Sequence, residues 1–313
     1  MQSALVTGGA GFIGSHLVRR LSSLNSQVAV MDPKVENAAR LDGVDYICGA
    51  LSREILETVD FVPTTIFHLA GGASVAESIA DPEGDFVRSV YASFVLLEFL
   101  RRRWPQTRVV FISSAAIYGE SKEKRASHDL TCLPLSPYGV HKRMVEALLF
   151  DYARMYGIRS VIVRPFSVYG PGLRKQLLWD ALEKASRGCF EFFGSGHELR
   201  DWVYVADLVE CLLRASSRAD VSVPIFNAGT CRAVSVHDVL TELFQIAGVP
   251  EAPRFVDRPK EGDPNSLVAD DSAESALGPL FVTPLGDGLR AYVEWYRCSK
   301  NPSTEVGEYA RHV

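Results

Sequence analysis

Two short stretches carry residue types that together could move a proton. In "ISSAAIYGE", residues 112–120, a β-branched and aromatic run from Arg108 to Ile112 ends in the hydroxyls of Ser113 and Ser114. In "SPYGVHK", residues 136–142, Tyr138 and Lys142 stand four apart. A phenol with its ordinary pKa of about 10 is a poor base near neutrality. An ammonium beside it favours the phenolate, so Lys142 is expected to lower the Tyr138 pKa and make it a group that takes and returns a hydroxyl proton. Ser114, from a facing strand end, would hold the same substrate oxygen. His141, between tyrosine and lysine, is expected to pack or to face solvent.

The spacing works only if residues 137–156 are helical, because positions four apart share a helix face. Ser136 reads as an N-cap and Pro137 as the first helical residue. Val140, Met144, Val145, Leu148 and Leu149 then trace one apolar stripe. The hydroxyls need a strand, and Val109-Val110-Phe111-Ile112 is too short and too β-branched for a helix.

A second pattern sits at the N-terminus. "ALVTG" runs into "GAGFIGSHLVRRL", where Gly8, Gly11 and Gly14 are three apart and Gly9-x-Gly11-x-x-Gly14 also fits the dinucleotide fingerprint. Glycines there permit a tight turn, close approach to a pyrophosphate and packing of helix on strand. The helix start offers free N–H groups to the phosphates. The next strand ends in Asp32, 18 residues past Gly14. A carboxylate at that point would bond the adenosine ribose hydroxyls and repel a 2′-phosphate, which favours NAD over NADP. Lys34 close by is the one counter-signal.

The intervening elements alternate. Strand-like runs lie at 4–6, 28–31, 65–69, 109–112 and 160–163, with helix-length segments at 12–24, 86–103 and 137–156 between them. This predicts an α/β fold, a doubly wound parallel sheet covered on both faces. After Arg164-Pro165 the pattern changes: a Gly/Pro loop at 168–172, a helix near 176–187, the strand-like "CFEFFG", and a stretch at 250–270 rich in Pro and charge. The expected division is 1–167 for the dinucleotide-binding domain and 168–313 mainly for a smaller substrate lobe. "VPIFNAG", near 223–229, is expected to return to the main sheet.

Composition excludes several classes. Net charge is −5 with signs interspersed, and the triplet Arg101-Arg102-Arg103 reads as a solvated helix end, so nucleic acid is not expected. No run of about 18 apolar residues could span a bilayer, and the N-terminus lacks a basic leader, so a cytoplasmic protein is expected. The six cysteines show no C-x-x-C spacing and read as separate reduced thiols. The histidines form no metal-binding spacing, so no metal is expected. There is no G-x-S-x-G elbow for a serine hydrolase.

With these motifs in hand the chain resembles the extended short-chain dehydrogenase/reductase family, the NAD-dependent nucleotide-sugar epimerases and dehydratases. "TGGAGFIGSHL", "IFHLAGGASVAESIADP", "ISSAAIYGE", "SPYGVHK", "RPFSVYGPG", "GSGHELRDWVYVADLV", "FNAG" and "RPKEGD" carry the likeness, in family order, over nearly residues 3–295. The resemblance implies a Rossmann fold with a C-terminal substrate lobe and a catalytic trio of Ser114, Tyr138 and Lys142. It implies cofactor contacts from Gly8, Gly11, Phe12, Ile13, Gly14, Asp32, Leu69, Ala70, Tyr138, Lys142 and Pro165, with Lys142 bonding the nicotinamide ribose and His68 also lining that site. Arg200 and Arg258 would hold the nucleotide diphosphate, since a planar guanidinium forks onto phosphate oxygens; a salt bridge to Asp201 or Asp207 is the plainer reading of Arg200. Helices 86–103 and 137–156 would form a homodimer through a four-helix bundle.

The departures narrow the chemistry. Family dehydratases carry Asp-Glu directly after the catalytic hydroxyl, where this chain has Ala115 and Ala116, so elimination of water lacks its acid and base. The family's 4-epimerases also carry Ser-Ala at this point. Ala50 and Ser89 stand where relatives commonly have Asp and Asn. Ser167 stands where many relatives contact the nucleotide sugar through Asn, and remains a substrate-side candidate with altered contacts. The expectation is an NAD-dependent nucleotide-sugar 4-epimerase working through a transient 4-keto sugar, with a UDP-hexose favoured and GDP- or dTDP-hexose open. Family habit would place it in cell-surface polysaccharide synthesis. The same trio would serve a C4 dehydrogenase or a 4-keto reductase, and a non-catalytic nucleotide sensor is the reading from another class.

Overall fold

The computed structural model describes residues 3–37, 40–120, 125–127, 130–256 and 264–300. Its centre is a seven-stranded sheet built from β1 (Ser3–Thr7), β2 (Gln27–Asp32), β3 (Val44–Cys48), β4 (Thr65–His68), β5 (Arg108–Ile112), β6 (Ser160–Pro165) and β7 (Ile225–Ala228). Their order across the sheet is β7-β6-β5-β4-β1-β2-β3, and every neighbouring pair is parallel. The order reverses between β1 and β4, the switch point at which an open α/β sheet leaves a crevice beyond its strand ends.

Alternation along the strands fills both faces. Val6, Val30, Phe67, Val110 and Val163 face one core, closed by α1 (Phe12–Ser23). Leu5, Met31, Ile66, Phe111 and Ile162 face the other, closed by α2 (Ala92–Arg103) and α3 (Pro137–Tyr156). Side chains of a strand point alternately to its two faces, so a sheet covered on both sides needs such continuous apolar runs. The edge strand β3, "VDYIC", was not among the expected strands: only one side of it is paired, and its side chains are half-buried or exposed.

Beyond β6 the chain builds α4 (Gln176–Ala185), α5 (Val205–Ser216), α6 (Val236–Ala247) and α7 (Leu285–Lys300). A third core joins Tyr169, Leu178, Leu182, Phe192, Leu243, Phe244, Tyr292 and Trp295 from α4, α6, α7 and the short strands around them. Helix α5 goes elsewhere: Leu208, Val209, Cys211 and Leu212 pack on the same face of the main sheet as α1. The sheet therefore recovers from downstream a covering helix as well as strand β7, which pairs with β6 in the register Phe226↔Val163. The expected strand "CFEFFG" is paired only at Glu191–Phe192.

The segment expected to be helical from 86 starts earlier and less regularly. Asp81 caps a turn at Pro82–Phe86 through Gly84 N, a π-helical turn spans Val87–Tyr91, and α2 follows. Helix α3 has the expected ends. Ser136 Oγ accepts from Gly139 N at 3.3 Å, and Gly157 closes it at φ 70°, the left-handed cap that glycine adopts without strain. All six cysteines are free thiols. Among the described residues, no helix is long and apolar enough to cross a membrane.

Candidate active site

Most of the candidate residues converge at one edge of the sheet. Gly8, Gly11, Phe12, Ile13 and Gly14 follow β1, Asp32 ends β2, Leu69 and Ala70 follow β4, Ser114 follows β5, and Pro165 ends β6. All five strands run in parallel, so these are all C-terminal strand ends. Sequence separations of up to 157 residues vanish into a single rim.

The glycine turn is shaped by contact. Gly8 has φ +74°, and a Cβ there would lie 2.7 Å from Ala70 N. At Gly14 a Cβ would lie 2.3 Å from Gly8 O, so any side chain would push α1 off the turn. Asp32 is buried and ties this turn to its own strand end, accepting from Ala10 N at 3.2 Å and Lys34 N at 2.8 Å. Its carboxylate is thus positioned beside the start of α1, where a dinucleotide would lie.

His68, expected to line the cofactor, ends β4 with its ring turned into the protein. Its ring is buried, with Nδ1 2.7 Å from Thr7 Oγ1 and Nε2 2.9 Å from Ser93 Oγ. Ala70 N donates to the same Thr7 oxygen, and Ser93 donates to Ser89 O. The directions agree only if Thr7 donates to Nδ1 and Nε2 carries the proton. Burial drives the His68 pKa down to about 3, with the Lys142 charge adding to the effect, so the ring is a neutral strut. Ser89, one of the departures, accepts from Gly72 N at 2.9 Å and so shapes the loop after β4.

The candidate proton-transfer residues meet between β5 and α3. Ser114 caps a 3₁₀ turn over Ala115–Ile117 through Ala116 N. That turn packs directly on the first turn of α3, where a Cβ at Gly139 would lie 2.6 Å from Ala116 O. The small residues bring the strand-end hydroxyl and the helical phenol near each other, close enough for the Ser114 hydroxyl to favour the ionised form of Tyr138. Lys142 is buried and donates from Nζ to Ile112 O at 2.9 Å, with its charge 5.8 Å from the Tyr138 ring centroid.

The electrostatics differ from the sequence expectation in one respect. The Tyr138 pKa is raised, not lowered: burial dominates, the Ser114 hydroxyl opposes it, and the Asp85 carboxylate raises it further. Burial disfavours an anion, and the protein alone does not offset that here. Lys142 is depressed to about 8 by burial, against the stabilising charges of Asp85 and Glu146.

Under the trio lies a polar network that sequence reasoning did not find. Arg164 on β6 forks onto Glu146 of α3 at 3.0 and 2.6 Å and donates to Tyr118 Oη at 2.8 Å. Tyr118 donates to Asn227 Oδ1 at 2.6 Å, and Asn227 reaches Ala126 O and Asp270. Every member named from 118 to 227 is buried. The partners are far apart in sequence, so no local pattern announces them. His141 packs as expected, with a partner that was not: Asp85 Oδ2, 2.5 Å from its Nδ1.

A family model described as the NAD dependent epimerase/dehydratase family matches residues 4–229, from β1 to β7. The chain belongs to that family. UDP-glucuronate 4-epimerase 3 of Arabidopsis thaliana is 30% identical over 94% of this chain and 76% of its own length. The crystal structure of UDP-glucose 4-epimerase with UDP-glucose from Thermotoga maritima superposes with a TM-score of 0.88 at 33% identity, covering 96% of this chain and 100% of that one. The Thermus thermophilus UDP-glucose 4-epimerase complex with NAD gives 0.86 at 31%, over 95% and 99%.

As a member of this family the protein uses NAD, and the glycine turn, the buried Asp32 and the strand-end rim suit a dinucleotide. On the substrate side the residues are more scattered. Ser167 opens a short strand, Ser167–Tyr169, paired in parallel with Trp202–Tyr204. Arg200 is buried in a three-stranded patch between Val234–Ser235 and Ser266–Leu267 and donates to Leu199 O. The acids suggested as its plain partners are engaged elsewhere: Asp201 by Thr230, Cys231 and Ala269, and Asp207 by Thr283. Arg258 lies outside the described residues.

Proposed function

We propose that this protein interconverts UDP-sugars epimeric at C4, with Tyr138 as the proton-transfer group, Lys142 as its cationic support and Ser114 as the hydroxyl that holds the reacting oxygen. The observation that carries the reading is the meeting of Ser114, Tyr138 and Lys142 at the same sheet edge as the glycine turn. Bound NAD would supply an acceptor and donor of hydride for C4 and, in its oxidised form, a positive charge that favours the phenolate. Tyr138 takes the proton of the 4-hydroxyl as the ketone forms and gives it back on reduction. Ser114, at the strand end facing the phenol, would keep that oxygen within reach. Lys142 supplies fixed charge from a water-poor position, where electrostatic effects are strong.

Ala115 and Ala116 offer no acid or base for elimination, which favours epimerisation over dehydration. Gly8, Gly11, Phe12, Ile13, Gly14, Asp32, Leu69, Ala70 and Pro165 would hold the cofactor, and Ser167, Arg200 and Arg258 the nucleotide sugar. Uridine is favoured because the relatives act on UDP-glucose and UDP-glucuronate.

The same reading includes a homodimer. Tyr91, Phe94, Met144, Phe150, Met155 and Tyr156 are exposed on α2, α3 and the turn before α2. A twofold mate packed on these helices would cover those apolar side chains. A cytoplasmic enzyme of carbohydrate metabolism, serving surface polysaccharide synthesis, accords with the free thiols and the substrate class.

Incubation with NAD and either UDP-glucose or UDP-glucuronate, followed by proton NMR, tests the activity. A second sugar with inverted C4 coupling and no accumulating NADH is expected. Stoichiometric NADH with a released 4-keto sugar would make the protein a dehydrogenase instead.

A further inference from the structure

Asp85 is a carboxylate in an unusual place. It lies in the turn Pro82–Phe86, only 1% exposed, between the loop after β4 and the helix that carries Tyr138 and Lys142. One oxygen meets His141 Nδ1 at 2.5 Å, and Phe86 packs edge-on to that imidazole with ring centroids 5.6 Å apart. The other oxygen presses on Gly72, where a Cβ would lie 1.7 Å from it. His141 is the residue before Lys142 and three after Tyr138. Burying a carboxylate costs several kcal/mol unless it is compensated, and such groups persist where function needs them.

The charges around Lys142 show what this carboxylate can do. Glu146, one turn along α3, is forked by Arg164 and so largely neutralised. His68 on β4 is a neutral strut. Of the other ionisable groups nearby, Glu77, Asp81, Glu83, Arg88 and Arg143 are exposed; Arg88 pairs with Asp81 at 3.3 Å, Arg143 donates to Cys132 O, and Lys175 donates to Ala73 O beside Gly72. Asp85 remains as the buried anion acting on both Lys142 and Tyr138.

We propose that Asp85, oriented by His141 and packed against Gly72, is a positioning residue that sets the pH window of catalysis through the neighbouring Tyr138 and Lys142. The proposal rests on the reading of Tyr138 as the proton-transfer group. Its second contact, at Gly72, joins the same carboxylate to the loop of Leu69 and Ala70. One buried group therefore touches both the cofactor side and the proton-transfer side of the site.

Asp85→Asn keeps the shape and an acceptor for His141 but removes the charge. Loss of a nearby anion favours deprotonation of both neighbours, so both limbs of the kcat profile should move to lower pH by roughly 1 unit. The Tyr138 titration itself, read as the ultraviolet tyrosinate signal of the NAD-bound protein that Tyr138→Phe abolishes, should move the same way. Limbs and titration that stay in place while rate or stability falls would overturn the proposal and leave Asp85 a packing residue. His141→Gln keeps a donor beside a charged Asp85 and guards against a misfolded first variant. Its limbs should stay or rise, and a fall like that of Asp85→Asn would also overturn the proposal. Because the titration needs no turnover, it reads this proposal even in a protein that fails to epimerise UDP-sugars.

Discussion

Lys142 Nζ donates to the carbonyl oxygen of Ile112, the last residue of β5, at 2.9 Å. The bond pins the charged end of a helix side chain to the strand end that presents Ser113 and Ser114. Its acceptor is neutral, so the contact fixes the position of the ammonium without cancelling its charge. Ser113 Oγ next to it is buried and finds no partner among the described residues. Of the two hydroxyls, Ser114 is therefore the one that suits the proposed role.

Tyr138→Phe removes the transferable proton and leaves the ring in place. Turnover is expected to fall by about 10²–10⁴-fold, the range for losing general acid–base catalysis. NAD content should not change. Single-turnover sugar NMR and the NAD released on denaturation would check both, and near-normal turnover would sink the mechanism.

Turnover should decline on the alkaline side. Burial lowers the Lys142 pKa to about 8, so its ammonium is present below that value and lost as pH rises through it. Lys142→Arg, charged at any working pH, should lower the rate yet flatten that decline. Wild-type activity that holds steady to about pH 10, where an ordinary lysine titrates, would contradict this assignment.

Glu146→Ala would strand the Arg164 guanidinium, whose side chain is 4% exposed. Removing one member of a buried pair costs about 3–5 kcal/mol, so urea unfolding should show a loss of that order. A loss below about 1 kcal/mol, typical of exposed pairs, would mean that water reaches the network.

Gly14→Ala places a methyl 2.3 Å from Gly8 O, where only backbone could yield. The helix start and the turn must separate, so bound NAD should be lost before the fold is. NAD retention through gel filtration, compared with the circular dichroism spectrum, would separate the two effects.

Phe150 is 42% exposed on the outer face of α3. If that face is buried between two copies, Phe150→Glu should convert a dimer to a monomer in light scattering. A wild-type monomer would remove the dimer from the proposed function.

Much of this was legible because parallel α/β sheets write themselves in runs. The strands 4–6, 28–31, 65–69, 109–112 and 160–163 are covered on both faces and carry near-continuous apolar runs. Gly8, Gly14, Ser136 and Pro137 mark turns and caps whose geometry is local. Strand β3 escaped because an edge strand needs no such run, and Asp45 interrupts it. The bonds of Asp85 to His141 and of Tyr118 to Asn227 escaped for a different reason. Each joins residues that only the tertiary fold makes neighbours, and the types involved are ordinary surface or core residues elsewhere. The Tyr138 pKa went the other way from expectation because spacing reveals a cation nearby but not the depth at which the phenol is buried.

The arrival of β7 from residues 225–228 has a consequence for how the chain is made. As the polypeptide leaves the ribosome, β1 to β6 and helices α1 to α3 emerge while the edge of β6 has nothing to pair with and Tyr118 lacks Asn227. The half of the protein that carries the dinucleotide motifs therefore waits for about sixty more residues, the distance from Pro165 to Ala228, before its sheet is complete. A stop codon after residue 167 should release a fragment with a bare strand edge, prone to pair with its own copies.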